Sequence, residues 1–154
     1  MLDQRTWQIR PVAAHDSFFA DYCRMRIALW PDCAAECESE ALEQVANGEG
    51  AAVFVAAPDT GAAVGFVEIS LRNYAEGASI SPIPYIEGWF VEGAYRGHGV
   101  GRALLNAAEQ WALARGFREI ASDSQLDNTV SLAAHLHLGY QEVERSVCFL
   151  KRLR

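Results

Sequence analysis

The sequence predicts an α/β fold, with elements in the order β-α-α-β-β-β-α-β-α-β-β. Three observations carry this. Val100, Ala103, Leu104, Ala107, Ala108 and Trp111 recur at helical spacing and form one apolar stripe. The apolar, β-branched stretches 52–57 and 62–71 flank Pro58, Asp59, Thr60 and Gly61, which is hairpin chemistry. Of the 154 residues, 51% are hydrophobic and 21% charged, enough to bury a core without staples. No linker or internal repeat divides the chain, so residues 1–154 read as a single domain.

Each element has its own local cause. Residues 6–12 read as a short strand. A helix follows, capped near Asp16 or Ser17, with Phe18, Phe19, Tyr22, Met25 and Leu29 close to helical spacing. Pro31 stops it. A shorter helix fits 39–47, with Ser39 as cap and Gly48 beyond its end. After the hairpin, residues 72–84 form a loop containing Tyr74, Gly77, Pro82 and Pro84. Residues 85–91 are a strand whose interior Gly88 marks a bulge or a close approach. Strand alternation would put Glu87, Trp89 and Val91 on one face. The striped helix begins near Val100 and ends at Gly116. Residues 118–122 make a short strand, and Asp127 or Asn128 caps a helix to Leu138, with Gly139 just past it. The end, 140–153, has room for two more strands.

Charge and composition exclude several classes. No run of 18 apolar residues exists, and 1–10 lack the apolar core of a secretory signal, so the expected location is the cytoplasm. The net charge of −7 suits cationic partners rather than nucleic acid or an anionic membrane. From 27 to 71 there is no Lys or Arg, against eight acids: Asp32, Glu36, Glu38, Glu40, Glu43, Glu49, Asp59 and Glu68. That segment is either a solvated face or a cation-binding wall, and charge alone does not choose. Cys33 and Cys37 form a spaced pair, but no second pair or His partner follows, which disfavours zinc. Cys23, Cys33, Cys37 and Cys148 are expected as free thiols, and no metal is expected.

The most informative segment runs from Trp89 to Leu105. A strand ends, glycines turn the chain, and an amphipathic helix begins. Free amides and the dipole of a helix N-terminus suit an anion such as pyrophosphate, and Arg96 and Arg102 add cations. The same pattern also serves as a plain tight connection. A Walker loop is excluded, because the one lysine is Lys151. Gly97-x-Gly99-x-Gly101 also has the wrong spacing for a dinucleotide fold and follows a hairpin.

Arg96-Gly97-His98-Gly99-Val100-Gly101 resembles the Gln/Arg-x-x-Gly-x-Gly/Ala signature of the GCN5-related N-acetyltransferase (GNAT) superfamily. A second signature follows in register: Asn128-x-x-Ser131, then His135-x-x-Leu138-Gly139-Tyr140. The likeness extends to the chromosomal-type aminoglycoside 6'-N-acetyltransferases through Leu29-Trp30-Pro31, Glu87-Gly88-Trp89-Phe90-Val91, Arg118-Glu119-Ile120-Ala121-Ser122-Asp123 and Glu142-Val143-Glu144-Arg145. This resemblance implies a mixed central sheet flanked by helices, the GNAT acyl-CoA N-acyltransferase fold. It implies transfer of acetyl from acetyl-CoA to a primary amine of an aminoglycoside, by direct attack in a ternary complex, conferring resistance. No nucleophile elbow or Cys-His pair contradicts that.

The resemblance also assigns residues. Backbone amides near Phe90 and Val91 would stabilise the developing oxyanion. Amides of Gly97, His98, Gly99, Val100, Gly101 and Arg102 would take the pyrophosphate with Arg96. Trp89 and Asn128 complete the acetyl-CoA set, although helix capping alone explains Asn128. Glu87 would be the general base, directly or through water; the alternative is an exposed strand glutamate in a salt bridge. Asp123 would grip an ammonium group and share the base role, or close an Asx turn. His135 stands where many superfamily members carry an acidic Tyr; it is either the proton donor or a packing histidine. His98 and His137 have weaker cases for that role. Trp30, Tyr74 and Glu144 match acceptor positions, Trp30 being equally explained as a core residue. The subgroup implies a homodimer that exchanges or pairs C-terminal strands around 146–150. Two other functions stay open: acetylation of another amine, such as a polyamine or peptide N-terminus, and a non-catalytic acyl-CoA-binding domain.

Overall fold

A computed structural model describes residues 7–154, so Thr6 of the expected first strand lies outside the described residues. Five strands form one sheet in sequence order: β1 (Gln8–Pro11), β2 (Ala51–Ala57), β3 (Gly65–Arg72), β4 (Ile83–Val91) and β5 (Ala121–Ser122). The first four pair antiparallel; β5 joins β4 in parallel, which makes the sheet mixed. A parallel join needs a long crossover, and α3 (Val100–Ala114) supplies it.

Alternation along β2 separates two cores. Val53, Val55 and Ala57 pack with Tyr22 and Met25 of α1 (Phe19–Leu29) and Ala41 of α2 (Cys37–Ala46). Ala52, Phe54 and Ala56 join the opposite core, where Val100, Leu104, Leu105, Ala108 and Trp111 present the expected stripe of α3. α4 (Thr129–His137) meets that second face through the flanking Leu138 and Tyr140. Asp16 does not cap α1 as expected: the N-cap is Phe18, which offers no side-chain bond, and Asp16 closes the turn before it, its Oδ1 accepting from the Phe18 amide at 3.0 Å and its carbonyl from the Phe19 amide at 3.1 Å. Asn128 caps α4, its Oδ1 accepting from the Ser131 amide at 3.1 Å.

Three further expectations need correction. Ser39 does not cap α2, which starts two residues earlier; its hydroxyl donates back to the Glu36 carbonyl at 2.8 Å. Burial of Cys37 and Ala41, one turn apart, fixes the earlier start. The strand at 118–122 shrinks to Ala121–Ser122, since only those residues meet β4. The two strands expected at 140–153 do not form. A strand needs a neighbour for its backbone groups, and this tail finds none: 141–154 are exposed. Val143 lies beside Gly77 of the 73–82 loop, where an added Cβ would come 3.0 Å from its side chain.

Candidate active site

β4 carries the irregularity that makes the site. Its partner register runs Trp89 to Val67 and Gly88 to Glu68, then jumps so that Ile86 meets Ile69. Glu87 is therefore the extra residue of a β-bulge. The bulge breaks the simple alternation expected for Glu87, Trp89 and Val91. Ile86, Trp89 and Val91 all pack toward α3, whereas Glu87 turns to the face covered by α1 and α2. The interior Gly88 gave the sequence signal for this bulge. It also has a packing cause: a Cβ there would sit 2.4 Å from the Trp30 ring.

On that face is a cavity of about 370 Å³, lined by Trp30, Cys33, Glu40 and Gln44 from the helical side and by Glu68, Ser70 and Glu87 from the sheet. That size falls in the range of small-molecule sites. Trp30 lies edge-on to Phe66, with Arg26 over its ring at 5.2 Å. At the base, Glu68 is 3% exposed; Tyr22 Oη and Arg26 Nε each donate to its Oε1 at 2.5 Å. Burial pushes the Glu68 carboxyl up, against the pull of Tyr22 and Arg26. Burial opposes the charge on Arg26, but Glu68 outweighs that and holds the guanidinium protonated. Arg26 Nη1 also donates to Glu40 Oε2 and the Cys37 carbonyl, both at 3.2 Å. The lining thus sets three carboxylates, Glu40, Glu68 and Glu87, against the one guanidinium of Arg26.

Glu87 has close partners. Arg72 Nε donates to its Oε1 at 2.8 Å, Arg72 Nη2 donates to Oε2, and the Ser70 hydroxyl donates to Oε1. Arg72 lies over the Tyr85 ring at 3.6 Å. Burial and the neighbouring Asp123 push the Tyr85 phenol up to about 12. Asp123 itself is exposed, directly after β5. Tyr74 and Glu144 do not join this lining: Tyr74 is 70% exposed on its loop, and Glu144 lies on the exposed tail.

The second half of the site lies where β4 and β5 part. β5 stops at Ser122 opposite Ile86, so from Glu87 to Val91 that edge of β4 has no strand partner. Arg96 folds back onto it, donating from Nε to the Val91 carbonyl at 2.8 Å. Gly97 and Gly99 have φ of +76° and +85°, and a Cβ at either would meet nothing within 4 Å. Gly99 is the N-cap of α3 and supplies no side-chain cap, so the first amides of the helix are open to a ligand. Gly101 is needed for packing, because a Cβ would come 2.9 Å from the Trp89 ring. His98 Nδ1 lies 2.8 Å from the Arg96 carbonyl and so carries the proton. Arg102 Nη2 donates to His137 Nε2 at 3.0 Å. Both ring nitrogens of His135 are engaged: Nδ1 donates to the Ser131 carbonyl and Nε2 accepts from the Ser122 hydroxyl, each at 2.8 Å. Its ring stands perpendicular to those of Trp89 and Tyr140.

Sequence reasoning passed over Arg26, Cys33, Ser70, Arg72 and Tyr85. Two charges carried a signal. Arg26 sits one turn after Tyr22 on the buried side of α1, and Glu68 interrupts an apolar strand; each charge in an apolar pattern needs a partner.

Known proteins share this arrangement. The acetyltransferase (GNAT) family profile matches residues 15–140. An aminoglycoside N(6')-acetyltransferase type 1 of Klebsiella aerogenes is 42% identical over 148 residues, covering 94% of this chain and 96% of the relative. The enzyme of the same name from Stenotrophomonas maltophilia is 43% identical over 131 residues, 84% of each chain. Among solved structures, AAC(6')-Iy with the bisubstrate analogue CoA-S-monomethyl-acetylneamine superposes with a TM-score of 0.87 at 32% identity, over 96% of this chain and 99% of that one. AAC(6')-Ih from Acinetobacter baumannii gives 0.86 at 33% identity, over 97% and 100%. Matched by the profile over residues 15–140 and 42% identical to a relative across 94% of its length, the chain belongs to the acetyltransferase (GNAT) family.

Proposed function

We propose that this protein is an aminoglycoside 6'-N-acetyltransferase, with the carboxylate-lined cavity as acceptor site and the glycine turn as acetyl-CoA site. One observation carries the reading: β4 joins the two. Its bulge turns Glu87 into an acidic cavity, and its other end leads into an uncapped helix N-terminus. The first environment suits an ammonium-bearing molecule and the second a pyrophosphate. The names of the relatives with 42% and 43% identity support the same activity.

The residues present fit acetyl-CoA. Open space over Gly97 and Gly99, free amides at the start of α3 and the unpaired edge of β4 offer donors along a continuous path. Trp89 Nε1 is buried without a partner beside that path. When bound, acetyl-CoA supplies an activated acetyl thioester. The chain's own part is binding, orientation and proton transfer. The amides from Gly97 to Arg102, with Arg96, would hold the pyrophosphate. Successive amides of a strand face opposite edges; the Glu92 amide donates to Val64 on the β3 side, so of the proposed Phe90 and Val91 donors it is the Val91 amide that faces the free edge of β4, where a carbonyl oxygen could accept from it. Trp30 gives the acceptor an aromatic wall. Glu87 is the proposed base, with Asp123 binding an ammonium and sharing that role. His135 is the proposed acid; protonated on Nε2 as well, it would donate to the Ser122 oxygen, and the hydroxyl would pass its own proton to the leaving thiolate.

We assign the chain as one cytoplasmic domain over residues 1–154 that binds neither nucleic acid nor membrane; no helix among the described residues is long and apolar enough to cross a membrane. We also propose a homodimer. The exposed apolar side chains Val147, Phe149, Leu150 and Leu153 on an unpaired tail support strand exchange or pairing between copies, readable by sedimentation velocity.

The test of function is thiol release from acetyl-CoA with a panel of amines. Aminoglycosides bearing a 6'-amino group should release thiol, and their 6'-hydroxyl counterparts, polyamines and a peptide amine should not. No release with any aminoglycoside overturns the reading.

A further inference from the structure

We propose that Arg72 is a positioning residue for acetyl transfer, fixing the Glu87 carboxylate so that a single lone pair of Oε2 faces the acceptor. This inference rests on the cavity being the acceptor site and Glu87 the base. A carboxylate has about four lone-pair positions. Oε1 of Glu87 accepts from two donors, the Ser70 hydroxyl and Arg72 Nε, and is full. Oε2 accepts from Arg72 Nη2 and keeps one position. The Glu87 side chain is 22% exposed and lines the cavity, so that remaining position is the one an incoming ammonium, or a water bridging to it, can use.

Arg72 can set this direction because it is itself held. It is the last residue of β3, and its guanidinium carbon sits over the ring of Tyr85, which is 4% exposed, 3.6 Å from the centroid. Stacking fixes the plane of the fork, and the fork fixes the plane of the carboxylate. The groups around Arg72 come from three elements: Ser70 beside it on β3, Tyr85 and Glu87 on β4, and Asp123 after β5, which also favours its charge. Arg72 therefore pairs directly with Glu87, and the nearby Asp123 adds to the field that keeps it charged. A lysine would place a charge there without the fork or the stack.

The test compares wild type with Arg72→Ala and Arg72→Lys in steady-state kinetics, with acetyl-CoA affinity measured in parallel. Misplacing a reacting group by about 1 Å costs on the order of 100-fold in rate. Both variants should lose kcat on about that scale. The Michaelis constant for the aminoglycoside should not rise, because a cation has left a cation site, and acetyl-CoA affinity should stay at wild type. Added guanidinium ion should restore part of the Arg72→Ala rate, and ammonium should not. A kcat within twofold of wild type overturns the inference, as does full activity of Arg72→Lys, which would mean that a point charge suffices. A raised Michaelis constant with intact kcat overturns it too. If Arg72→Ala fails to fold, the kinetics of Arg72→Lys decide the matter by the same criteria. A wild type that acetylates no aminoglycoside overturns the proposed function itself, and this inference with it.

Discussion

Gly88 shows how much one missing Cβ decides. Trp30 lies so close to β4 that a methyl group at residue 88 would overlap its ring. Trp30 cannot retreat freely, because Phe66 and the Arg26 guanidinium pack against it. The expected result for Gly88→Ala is a loss of about 1–3 kcal/mol, the usual cost of overpacking, read from urea unfolding. Because Trp30 is a wall of the cavity, the Michaelis constant for the aminoglycoside should rise in the same variant while acetyl-CoA affinity holds. An unchanged Michaelis constant would remove Trp30 from the acceptor site. The buried Tyr22–Glu68–Arg26 group is legible in part from sequence, since a lone glutamate in GFVEISLR cannot stay charged among apolar neighbours without a donor.

At the scale of elements, the N-terminus of α3 is the proposed anion site. Its amides converge because Gly99 adopts a left-handed conformation at the N-cap, and no side chain competes for them. Gly99→Asp places a carboxylate at that position and offers the amides an internal acceptor. Calorimetry should show acetyl-CoA binding weakened at least tenfold, about 1.4 kcal/mol, in a protein that still folds but melts somewhat lower, because a side chain at φ +85° is strained. Unchanged affinity would put the phosphates elsewhere. The amphipathic stripe of α3 and the Gly-rich turn were plain in the sequence. Gly88 signalled a bulge or a close approach, but not that Glu87 is the extra residue or which face it takes, because register depends on how β3 pairs with β4, and a one-residue slip reverses every face that follows.

Across the whole molecule, charge is unevenly divided. The net charge is −7, yet Arg96 and Arg102 stand at the α3 turn. Of the acids in the 27–71 segment, Glu40 and Glu68 line the cavity, while Asp32, Glu36, Glu38, Glu43, Glu49 and Asp59 do not. The segment is thus mostly a solvated face, with two members lining the cavity proposed as the acceptor site. Screening at physiological ionic strength acts over ~8 Å. Raising salt should therefore increase the Michaelis constant of a tetracationic aminoglycoside well above that of a monoamine sugar measured alongside. Equal, salt-independent values for the two would assign the acids to solvation alone.

The sequence by itself determined the order of elements as far as β5 and α4, the stripe of α3, the cap at Asn128 and the glycine turn. Each of these is set by residues within a turn or two of one another, so local pattern contains the cause. It also pointed to Glu87 and Trp30, through motifs that a family shares. Only the tertiary structure decided which face Glu87 takes, that Arg72 and Ser70 hold it, and that Arg26 answers Glu68 across 42 positions of chain. It likewise left 141–154 without a strand, against expectation. These are pairings between distant segments, and a side chain's partner across a sheet depends on register and packing that no window of sequence records.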